Sequence, residues 1–374
     1  MVGMGALPRL AVFGVLAIWI VFIIWRPLED SLLLFLRLIP FFIALPLTAS
    51  FDNFNMWRPI LGLIFLKWLF TRVAIKEKIT PAKVRAYFYK NRLELIALIL
   101  FLLAVLSIFK AEDLMASFKR VIYFLNLGLL YFVVKDAIVK NKDLLEKLCG
   151  AFLRGAGVVG ALGLAQLAMA FALNIEEFHY FWAKQFALAF FGRNWSEIAF
   201  NANTWYSYSG GGLRLRMFSI FPDSHSYPIY LLTGLFVFFI RYFQKHGRSF
   251  TSALMHGRWS LHEIFIKVVL KNDWLVFLLI AMPIIFSQTR GIWLAVLAPA
   301  ALAVYFFVKK LAPAILNQAL LWTLVCFALI FAANFALSYI SQFKVELTGE
   351  QGSVFLSRLL SIGDAKEISN LGRI

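Results

Sequence analysis

Long apolar runs separated by short polar stretches rich in Lys and Arg set the rhythm of this chain. A membrane-crossing helix needs roughly 20 apolar residues, and about 17 suffice with tilt or snorkelling ends. The pattern predicts an all-α, polytopic transmembrane helix bundle of about ten spans. They fall near 9–25, 31–48, 57–72, 93–110, 117–135, 148–173, 225–243, 273–289, 291–308 and 316–340. Pro40, Pro46 and Pro283 lie inside predicted spans, where neighbouring helices re-satisfy freed backbone groups and Pro is tolerated. No short-period repeat and no soluble domain is evident, so residues 1–374 read as a single transmembrane domain.

Charge orients the spans. The segment 72–92 carries Arg72, Lys76, Lys78, Lys83, Arg85, Lys90 and Arg92 against one acid, Glu77, which assigns it to the cytoplasm. The loops 135–147 and 241–272 are also basic, and Lys309-Lys310 follow a later span. Two spans separate each from the next, so all four agree on one side. The segments 174–222 and 341–374 then lie outside. Two readings stand for the N-terminus, because Arg9 and Arg26 flank the first span evenly. Either the first helix enters in an unusual direction, or an early run is re-entrant, with 31–48 the suspect. The outer-face loop 174–222 is rich in rings: Phe178, Tyr180, Phe181, Trp182, Trp195, Trp205, Tyr206 and Tyr208. Such density favours the headgroup interface and predicts short helices walling a groove. For Trp182 and Trp195 an anchoring belt is the preferred reading.

Composition removes other classes. Of 374 residues, 61% are hydrophobic and only 15% charged, and the mean hydropathy is +0.79. A soluble domain could not hide that much apolar surface. The net charge of +17, from 37 Lys and Arg against 20 Asp and Glu, follows the positive-inside bias and does not indicate nucleic acid. Cys149 and Cys326 lie far apart in apolar sequence and read as buried thiols. The first run lacks the basic n-region and cleavage site of a signal peptide and is expected to remain as a span.

Candidate chemistry gathers in 210–228, GGGLRLRMFSIFPDSHSYP, and 287–291, SQTRG. Arg214 and Arg216 follow three glycines, which permit tight turns or close approach to a ligand. An arginine pair at the membrane surface suits a lipid diphosphate; anchoring on anionic headgroups is the alternative. Arg290 sits at the tip of a turn between two spans on the outer face, where the positive-inside bias does not place arginine. It reads as a ligand contact, with a snorkelling anchor as its alternative. Asp223 and His225 offer acid–base groups near the same mouth, although Asp223 with Ser224 also suits the cap of the following helix. His246, His256 and His262 fall in a cytoplasmic loop without metal-ligand spacing. Arg37 and Gln166 are polar within apolar runs; Arg37 marks either a cavity or an interface. There is no P-loop, no GxGxxG after a strand, no zinc spacing and no carboxylate pair in one outer loop.

The run 216–225, RMFSIFPDSH, followed at once by a span, resembles the R-x-x-G-x-F-x-N-P-N pattern of the O-antigen ligase and O-antigen polymerase superfamily. The turn SQTRG resembles that family's S-x-S-R-G turn between two spans. The resemblance covers about residues 90–374. Ser219 stands where the family has glycine, and Asp223-Ser224-His225 stands for Asn-Pro-Asn. Family members are metal-independent glycosyltransferases of the bacterial cytoplasmic (inner) membrane. They move a glycan from undecaprenyl diphosphate to an acceptor hydroxyl on the outer face. The resemblance implies that Arg216 and Arg290 hold the diphosphate, with Arg214 and Asp223 beside the substrate and His225 near the reacting groups. It implies no cofactor and no metal. Partners would be the undecaprenyl-diphosphate-linked glycan, a lipid or glycan acceptor and membrane lipids. The family also carries a histidine in a long outer loop thought to activate the acceptor. Here the corresponding loop runs from Ser341 to Ile374, and no histidine follows His262. The expectation is therefore an incomplete chain lacking full activity. Two other readings compete: a transporter or flippase of lipid-linked sugars, disfavoured by spans nearly free of polar residues, and a non-catalytic scaffold for envelope assembly.

Overall fold

A computed structural model describes residues 8–48, 52–73, 89, 91–193, 195–197, 204–209, 212–238, 241, 274–287, 292, 295 and 332. Most of the predicted loops 72–92 and 241–272, all but isolated residues of the predicted spans 291–308 and 316–340, and the segment 341–374, predicted to lie outside, fall beyond the described residues. What is described is mostly helical, with two short antiparallel hairpins. Two helices, Ser117–Lys140 and Asp143–Ala172, are long and apolar enough to cross a membrane. Ala11–Trp25, Ser226–Phe238 and Leu275–Phe286 are apolar but shorter.

The chain opens with α1 (Ala11–Trp25), which buries Val12, Trp19 and Ile23. At its end, Pro27 offers no N–H to extend the helix. Helix α2 (Leu28–Leu38) then places Glu29 and Asp30 in its first turn and Arg37 in its last, the signs that the helix dipole favours. The predicted run 31–48 is not one helix. It breaks after Leu38 into a 3-10 turn, Ile39–Phe41, and strand β1 (Ala44–Leu45), which pairs with β2 (Phe54–Asn55). Pro40 contributes by lacking the N–H that would bond Leu36 O; Ile39 itself keeps helical angles (φ −51°, ψ −40°), and the backbone departs from them at Leu38 (φ −105°, ψ 2°). The freed carbonyls find other donors: Asn55 Nδ2 donates to Phe42 O at 3.2 Å and Met56 N to Ile43 O at 3.2 Å.

Helix α3 (Trp57–Val73) runs parallel to α1. At one level Arg9 donates to Asp52 Oδ2 at 2.7 Å and reaches Ala44 O. At the other, Lys67 Nζ donates to Ile23 O and Arg26 O. Residues 28–45 therefore return the full length of α1 as a broken traverse. Two ends of the molecule follow. The Glu29 end also holds Asn141, which donates to Glu29 at 3.2 Å, and Asp136, which accepts from Trp68 Nε1 at 2.8 Å. The Asp52 end holds Arg193, whose backbone N donates to Asp52 Oδ2 at 2.7 Å.

Helix α4 (Arg92–Ser107) and α5 (Leu114–Lys140) follow. Leu95, Ile96, Leu98, Ile99, Leu102 and Leu103 of α4 are all exposed. The hub is α6 (Asp143–Ala172), 30 residues and so about 45 Å long. It starts at the Glu29 end and finishes at the Asp52 end. Glycines let neighbours approach it closely. A Cβ on Gly155 would lie 2.5 Å from Arg37 O, and one on Gly160 only 1.7 Å from Leu279 O. Such small-residue faces are how helices pack where no water drives them together. Beyond α6 come α7 (Ile175–His179), a π-helical stretch Tyr180–Ala187, α8 (Leu188–Phe191), and the hairpin β3 (Tyr206–Ser209) and β4 (Gly212–Leu215). Helix α9 (Ser226–Phe238) runs antiparallel to α6, bringing Tyr227 to Gly163 and Arg241 to Gly150. Helix α10 (Trp274–Phe286) runs parallel to α6, with Val276 at Gly157 and Leu279 at Gly160. Its C-terminus, with Ser287, thus points towards the Asp52 end.

Candidate functional site

At the Asp52 end, residues 216–225 form an irregular loop inserted beside α6. Oε1 of Gln166, fully buried at 0% exposure, accepts from Phe218 N at 3.0 Å and Ser219 N at 2.9 Å. Nε2 of Gln166 donates to Ser219 O at 3.4 Å, and Ser219 Oγ donates to Val159 O at 2.9 Å. Those α6 positions lie about 10–20 Å in from Ala172, so the loop reaches well into the bundle. Non-helical backbone at such depth requires internal hydrogen-bond partners, and Gln166 supplies them.

Ser219 has φ of 51°, the left-handed region, and is the one non-glycine residue there among the described residues. A Cβ in that conformation costs about 1–2 kcal/mol, which glycine escapes. The loop is held on its other side by Trp205. Its ring stacks on Phe218 at 4.2 Å, its Nε1 donates to Pro222 O at 2.8 Å, and its carbonyl accepts from Arg216 N at 2.8 Å.

Arg214 and Ser207 are cross-strand partners in the β3–β4 hairpin. Arg214 is 5% exposed, its buried Nε has no hydrogen-bond partner, and among the described residues it makes no ion pair. Burial pulls its pKa down from the ordinary value, yet a guanidinium remains charged at neutral pH. Arg216, two residues on from Arg214, is half-buried. The arrangement presents fixed positive charge at the end where α10 delivers Ser287. Arg290 itself lies outside the described residues, so its separation from Arg216 is not described.

Asp223 caps α9. Its Oδ1 accepts from His225 N and Ser226 N, both at 2.8 Å, and its Oδ2 accepts from Ser226 Oγ at 2.6 Å. This carboxylate is occupied by the helix start, the role that the sequence position favoured. His225 Nδ1 stands 3.8 Å from Asp223 Oδ1, with its side chain partly exposed.

The ring-rich segment divides. Trp182 is 6% exposed, packed among Phe178, Phe181, Phe186 and Phe218, whereas Trp195 is 41% exposed. Trp182 is therefore a core residue, not part of a surface belt. The reason is the inserted loop, which gives Trp182 a buried partner in Phe218. His179, which sequence reasoning passed over, faces Tyr206 Oη at 3.4 Å. Burial, then the nearby Lys184 charge, lowers the His179 pKa, and burial raises that of Tyr206. Its position inside the outer aromatic run was the available signal.

No group of three or more His, Cys, Asp or Glu side chains placed to hold a metal occurs among the described residues. No protein family, curated protein or solved structure matches the chain.

Proposed function

We propose that this chain is a polytopic protein of the bacterial cytoplasmic membrane, crossing it about ten times, and a glycosyltransferase of the O-antigen ligase and polymerase type. It moves a glycan from undecaprenyl diphosphate to an acceptor hydroxyl on the outer face, in cell-surface polysaccharide synthesis. The observation that carries the reading is Ser219. The left-handed backbone at this residue is the conformation that explains a glycine at the matching position of the family pattern. The loop shape is thus kept with a serine, tied to Val159 O by its hydroxyl.

The chemistry follows from the cations. A diphosphate leaving group gathers negative charge as the glycosidic bond breaks, and preorganised guanidinium groups in a poorly hydrated groove stabilise it. Arg216 and Arg290 hold the diphosphate, and the buried Arg214, two residues before Arg216, adds positive potential. His225 and the neutral His179 are the bases available to take the acceptor proton. The Asp52 end is then the outer face and the Glu29 end the cytoplasmic one.

The test is transfer in proteoliposomes, with labelled undecaprenyl-diphosphate glycan supplied with acceptor and the product counted. Arg216→Ala and Arg290→Ala are each expected to lower the rate about 100-fold or more. Wild-type rates in both, with the variants folded, would end the assignment.

A further inference from the structure

A second charged site lies at the opposite end of α6, the Glu29 end. A pocket of about 520 Å³ there is lined by Leu33, Glu146, Lys147, Gly150, Leu153, Arg154, Phe238, Arg241 and Val276. Glu146 and Lys147 come from the start of α6. Arg154, itself exposed, stands two turns further along α6, about 10 Å along the axis. Arg241 approaches from beyond α9, its guanidinium 3.7 Å from where a Cβ on Gly150 would sit. Arg37 on α2 and Arg241 are both near enough for their charges to act on Arg154.

Two guanidinium groups, those of Arg154 and Arg241, and the Lys147 ammonium thus line the pocket with one carboxylate, Glu146, while Arg37 lies outside the lining. Arg37, Arg154 and Arg241 make no ion pair among the described residues, and the Nε atoms of Arg37 and Arg241 are buried without a hydrogen-bond partner. Three cations against the single Glu146 carboxylate leave a net positive charge, and like charges repel. The arrangement is stable when an anion with several acceptor oxygens occupies the centre, and phosphate matches the guanidinium fork. The opposite wall, Leu33, Leu153, Phe238 and Val276, is apolar, suited to a hydrocarbon tail.

We infer that this pocket binds a phosphate group, carried by the headgroup of an acidic phospholipid whose chain lies along the apolar wall. The placement rests on the membrane reading above, although not on the glycosyltransferase assignment. It adds an anion site distinct from the diphosphate site, on the other face.

The experiment uses the whole chain purified in mild detergent and reads Tm against added ligand. Short-chain phosphatidylglycerol, phosphatidylcholine of equal chain length and inorganic phosphate are titrated separately. Phosphatidylglycerol is expected to raise Tm, with phosphatidylcholine inert. A rise with phosphatidylglycerol alone identifies a lipid, and an equal rise with inorganic phosphate identifies the free ion; either supports the site. Arg154→Gln should weaken binding about tenfold, and Glu146→Gln should tighten it a few-fold, a gain that misfolding cannot imitate. A response that is absent, equal for phosphatidylcholine, or indifferent to both variants overturns the proposal. Recovery of the protein in the soluble fraction of cells would instead overturn the membrane reading, while the inorganic phosphate arm still reports on the pocket.

Discussion

The two ends of α6 solve the problem of burying polar groups in opposite ways. At the Asp52 end, Gln166 and Ser219 are neutral and their hydrogen bonds to the inserted loop are made within the chain. In the pocket at the Glu29 end, Lys147, Arg154 and Arg241 face one carboxylate, Glu146, so cations outnumber their counter-charge. A satisfied neutral network holds shape. A cluster in which cations exceed anions is the place for the anion proposed above. Removing a polar group should therefore do damage at one end and bring relief at the other.

The largest effect is expected from Gln166→Leu. It strands two buried N–H groups, those of Phe218 and Ser219, and should cost about 2–4 kcal/mol in denaturant unfolding in detergent. A cost below about 0.5 kcal/mol would mean that the loop does not depend on this side chain. Ser219 permits a finer cut. Ser219→Ala keeps the left-handed strain and loses the hydroxyl bond to Val159 O, for a loss of about 1 kcal/mol. Ser219→Gly loses the same bond but sheds the strain, so its net change should stay within about 0.5 kcal/mol. If glycine proved the worse of the two, the backbone account of this position would be wrong.

Some of this was legible beforehand. The apolar runs 117–135 and 148–173 mark α5 and α6, but the observed helices extend to Leu114–Lys140 and Asp143–Ala172. Hydropathy stops at the first charged residues, whereas backbone hydrogen bonding does not. Asp223 as a cap was readable because capping is local. The task of Gln166 was not, since its partners lie 52 and 53 residues away. The broken 31–48 run was half legible, in Pro40, but the two-residue strands on either side of 46–53 carry too little pattern to register. The arginine pocket joins α2, α6 and the chain beyond α9, so no single stretch announces it.

On the cationic side, Arg154→Gln in anion-free buffer should raise stability slightly, by about 0.5 kcal/mol or less, because the residue is largely exposed and solvent screens its repulsion. A fall in stability would show that the guanidinium groups already have counter-charges. The smallest effect concerns pH. Burial and Lys184 depress the His179 pKa in the folded state, while the unfolded chain takes up its proton near 6.5. Stability from this group is thus full above about pH 6.5, declines as pH falls through that value, and levels off below the depressed folded value. His179→Gln should flatten that part of a Tm against pH curve.

The lengths of the first helices carry a consequence for the proposed membrane setting. With 15 residues in α1 and 17 in α3, these rods are about 22 and 26 Å long, short of a hydrocarbon layer of about 30 Å. At about 45 Å, α6 overshoots the same layer. On the proposed reading in which α1, α3 and α6 all cross the membrane, a bilayer meeting both lengths would pinch beside the amino-terminal helices while the central rod leans or protrudes. The protein would then sit in a dimple of its own making, with its amino-terminal flank drawing in lipids of shorter chain.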